Sequence, residues 1–517
     1  MKMVKYWQWG WIWIFSIWSC TDALDVQPKN SVTFLKALSD EREIEIALGS
    51  VEYGLKQDVL ISVNTVSFPE IYGWINDDGA TSSQTAEFLA PTNSAYVFRS
   101  WSGWYSVIAR ANLVIPYLDQ VKMTAERRNY YLGQVYFFKA FCYYNLILKW
   151  GDVPYIHEHT ILDPIPKTPW VIVADSAIAM AERAARLLPE ADDAVHYNGG
   201  AVLHRSAPSK GAAYTLMAYL YAWKAGAKYV SRPEYRDYDE EECWKRAEKA
   251  CSYVVDSCRS YALAGSAEEM CTETLVGDSR EGIFETVLKD RWLESGGLGE
   301  YPLLAKYFVR YPLVNGADAW YQNAGAYVIS AATVSKMYPG TDERRQAFFY
   351  RFDNGERTKD KNSAFLYKWR EAVLNTTPGK NYGRFQNINQ NKIWFRLADV
   401  ILLRGECRAR LGNDAGAIAD INRIRERSGA SLYAPSDYPG RDVRFAVFKE
   451  REKELLYEGF RWFDIIRNGY IREMLKGGYK TASNQDFVDG CMFLGVASLA
   501  FERNTLMRQN VYWWKNL

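Results

Sequence analysis

The stretch that decides the fold spans residues 394–429 and reads WFRLADVILLRGECRARLGNDAGAIADINRIRERSG. Its apolar residues recur at helical spacing in two runs, one from Trp394 to Arg410 and one that stops at Gly429. Gly412 lies between the two runs, where a turn is needed. The pattern therefore predicts two helices that fold back on each other as a pair.

The same periodicity predicts further helices on both sides of this pair. They span about 125–149, 169–188, a stretch that begins after Pro208, 240–258, 443–458 and 461–475. Small residues at the crossing, among them Gly405 and Ala417, are typical of tetratricopeptide-like helical pairs, which bury their faces only by stacking. Because the pairs fall in two parts, about 104–260 and 394–475, we predict a mostly α fold with one composite core.

Two long stretches, about 59–103 and 265–393, show no sustained period and are rich in Gly, Asn, Asp, Ser and Tyr. Loops of this length in a compact protein are usually functional or disordered. The second stretch also carries several Tyr and Trp residues, which argues against plain disorder. We therefore expect these loop-rich insertions to face a ligand.

Composition limits the class of protein. The chain has 517 residues, of which 48% are hydrophobic and 24% charged, so a disordered chain, a collagen-like repeat and a multi-span membrane protein are excluded. Lys and Arg number 63 and Asp and Glu 62, so no global basic field is available to hold a nucleic acid. The aromatic share, 15%, fits core packing, a ligand platform or both.

The N-terminus has the pattern of an export signal. Two lysines precede a short apolar run, residues 6–19, which at ~1.5 Å per residue spans about 21 Å and is too short to cross a ~30 Å hydrocarbon core. Residues 1–19 therefore read as a signal peptide. The run ends in Ile17-Trp18-Ser19-Cys20, which resembles a bacterial lipobox. We predict lipidation of Cys20 and one mature domain over 20–517.

The remaining cysteines and the histidines indicate no metal centre. No CxxC pair and no Cys/His cluster at zinc spacing occurs, and His157-x-His159 alone is a weak metal pair. The sequence thus predicts no metal and no cofactor. Seven cysteines remain after Cys20, and an odd number in an exported protein leaves at least one thiol unpaired. Cys251 and Cys258 share a helix face and are expected to be small buried hydrophobes.

Charged residues are concentrated between Glu450 and Arg467. Asp464 and Arg467 are spaced i,i+3, as are Arg461 and Asp464, so either pair can form along one helix face. Glu450, with its neighbour Arg451, and Glu458 are free to pair with neighbouring helices. A catalytic role is the alternative, but every carboxylate here has an opposite charge close by in the sequence. We interpret the cluster as a structural network.

An ordered set of motifs extends across nearly the whole mature chain. The motifs, in chain order, are Asp25-Val26-Gln27-Pro28-Lys29 after Cys20, Trp104-Tyr105 with Ile108 and Ala111-Asn112, Lys149-Trp150-Gly151-Asp152-Val153-Pro154, Ser209-Lys210-Gly211-Ala212-Ala213, Arg396-Leu397-Ala398-Asp399-Val400 with Glu406, the run from Glu450 to Arg467, and Arg508-Gln509-Asn510. This ordered set resembles the SusD/RagB family of outer-membrane nutrient-binding lipoproteins. The resemblance implies a non-catalytic, lipid-anchored protein on the outer face of the outer membrane. Its implied partners are a SusC-like TonB-dependent transporter and a glycan, or in some members a peptide.

Two loop segments combine the side chains that sugar binding needs. An exposed Trp or Tyr ring offers a flat apolar platform to the C–H face of a sugar, and amide and carboxylate groups offer fixed partners to its hydroxyls. The ligand-binding candidates are Trp74, Asn76 and Asp77 in the first segment and Tyr301, Trp320 and Tyr321 in the second. Core packing is the alternative for every Trp, and it is the prediction for those on or at the ends of helices, namely Trp104, Trp150, Trp223, Trp394 and Trp462.

Two other functions stay open from the sequence. A helical glycoside hydrolase would need two carboxylates ~5–9.5 Å apart across a cleft, for which Asp77, Asp78 and Glu300 are the candidates. The other alternative is a peptide-binding or protein-scaffold member of the same fold, and a pure scaffold would not need its loop aromatics for binding.

Overall fold

The computed structural model describes residues 38–61, 81–82, 98–157, 163–289, 327–353, 363–364, 366–374, 376–379, 382, 385–502 and 504–516. Within these ranges the protein is mostly helical, as predicted. The helices are α1 (Glu41–Gly54), α2 (Ser102–Leu118), α3 (Ala125–Trp150), α4 (Trp170–Leu187), α5 (Lys210–Gly226), α6 (Glu240–Ser252), α7 (Ala267–Glu269), α8 (Ala331–Met337), α9 (Arg344–Phe348), α10 (Leu397–Arg410), α11 (Asp414–Arg427), α12 (Val443–Glu454), α13 (Arg461–Asn468), α14 (Ile471–Met474), α15 (Asn484–Asp489) and α16 (Val511–Asn516).

Short strands connect distant parts of the chain. They are β1 (Thr81–Ser82), β2 (Phe98–Arg99), β3 (Gly282–Thr286), β4 (Tyr327–Ser330), β5 (Ser363–Ala364), β6 (Ala372–Leu374), β7 (Phe385–Ile388), β8 (Lys392–Arg396) and β9 (Gly495–Val496). β1, β4 and β5 form a three-stranded antiparallel sheet, and β3 pairs with β8 and β6 with β7 in antiparallel ladders. β2 and β9 pair in parallel and join the start of α2 to the C-terminal region.

Local sequence signals set the helix ends. The Thr124 hydroxyl accepts a hydrogen bond from the backbone N–H of Arg127 and begins α3, and the Asn413 side chain begins α11 in the same way. Gly151 follows α3 with φ +69°, a left-handed conformation that glycine adopts without strain. These ends match the predicted ones closely.

The helices pack in sequential pairs and then across the chain. α3 packs on α4, α5 on α6, and α10 on α11, while α10 also packs on α6 and α12. The two groups of helices thus share one hydrophobic core, as predicted. Aromatic rings fill its centre, where Phe141 lies 5.1 Å from Trp394 and 6.1 Å from Trp104 between ring centroids.

Three predicted boundaries were wrong. Trp394 lies in β8, not on a helix, because residues 392–396 pair with β3 more than a hundred positions earlier; the residue is half-buried against the core. The helix expected over 461–475 divides at Gly469, whose φ of +76° ends α13 before α14 begins. α12 ends at Glu454 and not at 458. The N-terminal helix α1 was not predicted.

The other four tryptophans that were predicted to pack in the core are buried: Trp104, Trp150, Trp223 and Trp462 are at most 1% exposed. All seven described cysteines are buried free thiols, and Cys251 and Cys258 pack as small hydrophobes in the main core. Among the described helices, none is both long enough and apolar enough to cross a membrane.

Candidate ligand-binding site

The three-stranded sheet brings together the ends of the two segments that carry the predicted ligand residues. Thr81 lies opposite Val328 and Ser82 opposite Tyr327 in an antiparallel ladder, where strands lie about 4.8 Å apart. β4 also pairs with β5, which places Ile329 opposite Ala364. The segment before β1 and the segment before β4 therefore enter the same small sheet.

The predicted site residues themselves lie outside the described residues. These are Cys20, Trp74, Asn76, Asp77, Tyr301, Trp320 and Tyr321, together with the hydrolase candidates Asp78 and Glu300. In the sequence, Trp74 precedes Thr81 by seven positions, and Trp320 precedes Tyr327 by the same number. The strand pairing thus relates the two predicted groups through positions 81–82 and 327–328, a link that neither segment alone indicates.

The sheet is fixed to the helical core through α8. Ser330, the last residue of β4, caps α8 by accepting a hydrogen bond from the backbone N–H of Thr333 at 3.0 Å. Val334 and Tyr338 are fully buried, and the Tyr338 hydroxyl donates to the backbone carbonyl of Lys453 on α12 at 2.8 Å. The small sheet is therefore joined to the helical core through α8 and Tyr338.

A buried network of charges lies behind this connection. The guanidinium of Arg344 is fully buried; its Nε donates to Asp342 Oδ1 at 2.9 Å and its Nη2 to Glu450 Oε1 at 2.8 Å. Its Nη1 reaches Glu454 Oε2 at 3.3 Å. One arginine of the loop-rich region thus holds two carboxylates of α12 in place.

A second arginine extends the network to β3 and β8. Arg396 Nη1 lies 2.7 Å from Glu281 Oε1 and 2.8 Å from Glu454 Oε1. Its Nη2 lies 2.8 Å from Glu458 Oε1, and Lys368 also pairs with Glu458. The network therefore ties the 265–393 region to the C-terminal helices.

A third group connects α10, α12 and α13. Arg451 Nε donates to Asp464 Oδ2 at 2.9 Å, and its Nη1 lies 3.0 Å from Asp399 Oδ1. Arg467 pairs with both Glu406 and Asp464 at 2.6 Å. The predicted Asp464–Arg467 pair is thus confirmed. For Arg461 the structure shows a different partner, Glu452 of α12, at 3.1 Å.

The electrostatics of the network suit a structural role. Burial raises the pKa of Glu450, but the cations of Arg344, Lys453 and Arg425 outweigh it and lower that pKa to about 2. The pKa of Glu454 is likewise held well below its ordinary value, against burial, by arginines that include Arg427. Carboxylates that are closed off from solvent and held ionised by two or more cations cannot serve as general acids. The structural interpretation of the motif charges fits this geometry.

Acid is expected to destabilise the protein through these carboxylates. Because the folded-state pKa of Glu450 lies below its ordinary value of 4.5, its stabilisation is complete above about pH 4.5 and is lost as the pH falls toward 2. A pKa difference of this size corresponds to a contribution of roughly 3 kcal/mol to the free energy of unfolding. Thermal unfolding followed by circular dichroism between pH 6 and pH 2.5 measures the effect, and an unchanged melting temperature between pH 5 and pH 3 would contradict it.

The motif charges were predicted from the sequence, but several of their partners were missed. Arg344, Lys368 and Glu281 lie in the loop-rich region and carry no motif of their own. Lys368 does have a local signal, since it is a lone charge between Tyr367 and Trp369. Arg344 has none, because the adjacent Arg345 looks identical in the sequence and yet pairs with Asp353 near the surface.

Two cavities adjoin this frame. One, of about 750 Å³, lies between α8, the segment 430–438, α12 and α14. The other, of about 530 Å³, lies between α4, α5 and α6 and is lined in part by Tyr214, Met217 and Tyr221. Both volumes fall in the range of small-molecule sites.

The described residues contain no group of three or more His, Cys, Asp or Glu side chains that could hold a metal ion. His157 packs its ring against Tyr155, with centroids 4.8 Å apart, and its backbone carbonyl accepts from Lys139 Nζ at 2.9 Å. His159 lies outside the described residues.

Comparison with known families gives two matches on the two parts of the chain. The SusD family model matches residues 289–513, and a model described as starch-binding, associating with the outer membrane, matches residues 24–222. A relative from Formosa agariphila, SusD-like protein P25, is 23% identical over 514 residues, which cover 90% of this chain and 89% of the relative.

Solved structures show the same fold. A SusD homolog from Bacteroides thetaiotaomicron superposes with a TM-score of 0.72 at 20% identity and covers 92% of this chain and 99% of its own. Surface glycan-binding protein A from Bacteroides uniformis superposes with a TM-score of 0.66 at 19% identity and covers 91% of this chain and 99% of its own. At these identities the likeness concerns the fold.

Proposed function

Since the chain belongs to the SusD/RagB family, we propose that it is a non-catalytic surface lipoprotein that binds a glycan and delivers it to a SusC-like TonB-dependent transporter for import. The name of the relative from Bacteroides uniformis, surface glycan-binding protein A, supports a glycan ligand. The description of the N-terminal family model, starch-binding and associating with the outer membrane, supports the same ligand class and location.

The observation that carries the proposal is the pairing of β1 with β4. It sets the end of the segment with Trp74, Asn76 and Asp77 beside the end of the segment that holds the second group of candidates. That group comprises Tyr301, Trp320 and Tyr321. We assign the glycan site to these two groups together. The experiment that tests the proposal is retardation of the mature chain in gels that contain polysaccharide.

Sugar binding by such a site needs no chemistry. Each aromatic ring buries the C–H face of one sugar unit, and fixed polar side chains satisfy the hydroxyls that lose water. Neither a cofactor nor a covalent step is required, and release into the transporter follows when the lipoprotein closes over the barrel as a hinged lid. The buried carboxylates of α12 serve the fold in this account.

The anchor and the domain organisation form the other half of the proposal. Residues 1–19 act as a signal peptide, and residues 20–517 form one mature domain that is lipidated at Cys20 and faces the cell exterior. Two or more acyl chains anchor a protein stably, because each buried CH₂ contributes about 0.8 kcal/mol.

Replacing Cys20 with serine is expected to move the protein from the outer membrane to the soluble fraction. The hydroxyl of serine does not accept the thioether-linked lipid, so the chain loses its acyl anchor. Fractionation of cells, with incorporation of labelled palmitate, measures the change. Cys491→Ser, which alters a buried thiol, is the control and should stay lipidated. Equal palmitate incorporation in wild type and Cys20→Ser would refute the anchor.

A further inference from the structure

None of the described residues that line the cavity of about 750 Å³ belongs to the two groups assigned to the glycan, and many of them are charged. One face of α12 forms much of the cavity wall, since Phe445, Lys449, Glu452 and Lys453 are spaced at helical intervals. α8 contributes Lys336 on the other side. Because α8 directly follows β4, the cavity adjoins the sheet that joins the two loop segments.

The carboxylates that line the cavity are all engaged in ion pairs. Each one that lines it has an arginine partner, and the pairs are Asp342 with Arg344 at 2.8 Å, Asp437 with Arg425 at 2.7 Å, Glu452 with Arg461 at 3.1 Å, and Glu473 with Arg441. Lys449 also pairs with Glu452. The cavity therefore offers no free negative charge from its described lining.

Two lysines of the lining make no such contact, although Glu450 attracts the charge of Lys453. Within the described part of the chain, the ammonium groups of Lys336 and Lys453 have no hydrogen bond or ion pair to a carboxylate. Burial lowers the pKa of Lys453; Glu450 opposes this change, and Arg344 adds to it. Since both oxygens of Glu450 are held by arginines, the Lys453 ammonium has hydrogen-bonding capacity left for a ligand.

The same cavity also has an apolar side. The rings of Tyr438 and Phe445 meet edge to face, with centroids 5.6 Å apart, and both are half-buried. Met337 and Met474 complete this part of the lining. Such a surface suits the C–H face of a pyranose ring.

We infer that this cavity is a second ligand site, which takes a carboxylate-bearing sugar such as a uronic acid. Lys336 and Lys453 bind the carboxylate, and Tyr438 and Phe445 pack against the ring. That the ligand is a sugar rests on the proposed function; the presence of the two lysines in the lining does not depend on it.

The test uses the mature protein, D-glucuronate and D-galacturonate as probes, and D-glucose and D-galactose as their neutral counterparts. Calorimetry or saturation-transfer NMR is expected to detect binding of the two acids but not of the two neutral sugars. Lys453→Met keeps the length of the apolar stem and should lower the affinity for the two acids at least tenfold. The double variant Lys336→Met/Lys453→Met should abolish their binding. Raising NaCl from 20 to 500 mM should weaken it as well.

Lys245→Met is the matched control, because it removes a lysine charge that pairs with exposed Glu241 on α6. It should bind the acids like wild type, and each variant's melting temperature verifies its fold. Equal binding of glucuronate and glucose, or unchanged binding in the double variant, would overturn the inference. If the protein bound glucuronate but no polysaccharide, only the proposed function would be refuted. If it bound a polysaccharide but not glucuronate or galacturonate, only the second site would be refuted.

Discussion

Trp74→Ala and Trp320→Ala are each expected to weaken oligosaccharide binding by about 30-fold or more. Truncation of an aromatic anchor at the centre of a binding site typically costs at least about 2 kcal/mol, which corresponds to this factor. The effect should fall on affinity alone, with the melting temperature unchanged, because a ring that stacks on a ligand contributes little to the core. Titration calorimetry with an oligosaccharide of the retained polysaccharide measures it.

Trp514→Ala is the matched control for these variants. Trp514 lies on α16 and is 74% exposed, so its loss removes an exposed indole far along the chain from both loop segments. It should leave affinity unchanged. If Trp74→Ala and Trp320→Ala both bound the glycan like wild type, the assignment of the site to the loop aromatics would fail, and a scaffold that binds through its helical pairs would be favoured.

Arg344→Met is expected to lower the free energy of unfolding by about 3–5 kcal/mol, or to prevent folding. The variant leaves Asp342, Glu450 and Glu454 buried with fewer cations, and breaking a buried ion pair from one side costs this much. Arg344→Lys keeps the charge but loses the fork geometry, so its loss should be intermediate. Urea unfolding followed by tryptophan fluorescence measures the free energy of unfolding of the wild type, Arg344→Met and Arg344→Lys.

Arg345→Met provides the comparison, one position away on the same helix. Arg345 pairs with Asp353 at 3.2 Å near the surface, where such pairs contribute about 0–1 kcal/mol. If Arg344→Met and Arg345→Met lost similar stability, or if Arg344→Lys matched wild type, the buried network would not hold α9 to α12 in the way described.

Local signals made much of the helical part predictable. Helix ends set by Thr124, Gly151 and Asn413 depend on hydrogen bonds and backbone angles within a few residues, so the sequence contains them. Trp394 is a counterexample, because its strand exists only through pairing with β3, and no local pattern distinguishes it from the start of α10. Gly469 is present in the sequence, but no local pattern marked this glycine as the end of a helix.

The partners of the motif carboxylates could not be predicted, because they lie far away in the sequence. The motif carboxylates, such as Glu450 and Glu454, were recognised as members of a structural network, but their partner Arg344 is over a hundred positions away. Nothing local separates a buried arginine from its exposed neighbour. The pairing of β1 with β4 was hidden for the same reason.

The loop aromatics could be nominated from the sequence, whereas the residues that line the cavity could not. Side-chain chemistry nominated Trp74 and Trp320 from the sequence, where an aromatic ring lies beside amides and carboxylates in a polar stretch. The cavity beside α12 gave no such signal, because Lys336, Tyr438 and Lys453 come from three separate segments. Only the fold brings α8, the segment 430–438 and α12 together around this cavity.

Glycan capture is tested by affinity electrophoresis of the mature chain, residues 20–517, through gels cast with starch, plant, algal and host polysaccharides. At least one polysaccharide is expected to retard the chain relative to a non-binding reference protein, and Trp74→Ala/Trp320→Ala is expected to migrate as in a gel without polysaccharide. Migration of the folded wild-type chain unaltered by every polysaccharide would contradict the claim that this protein captures glycans.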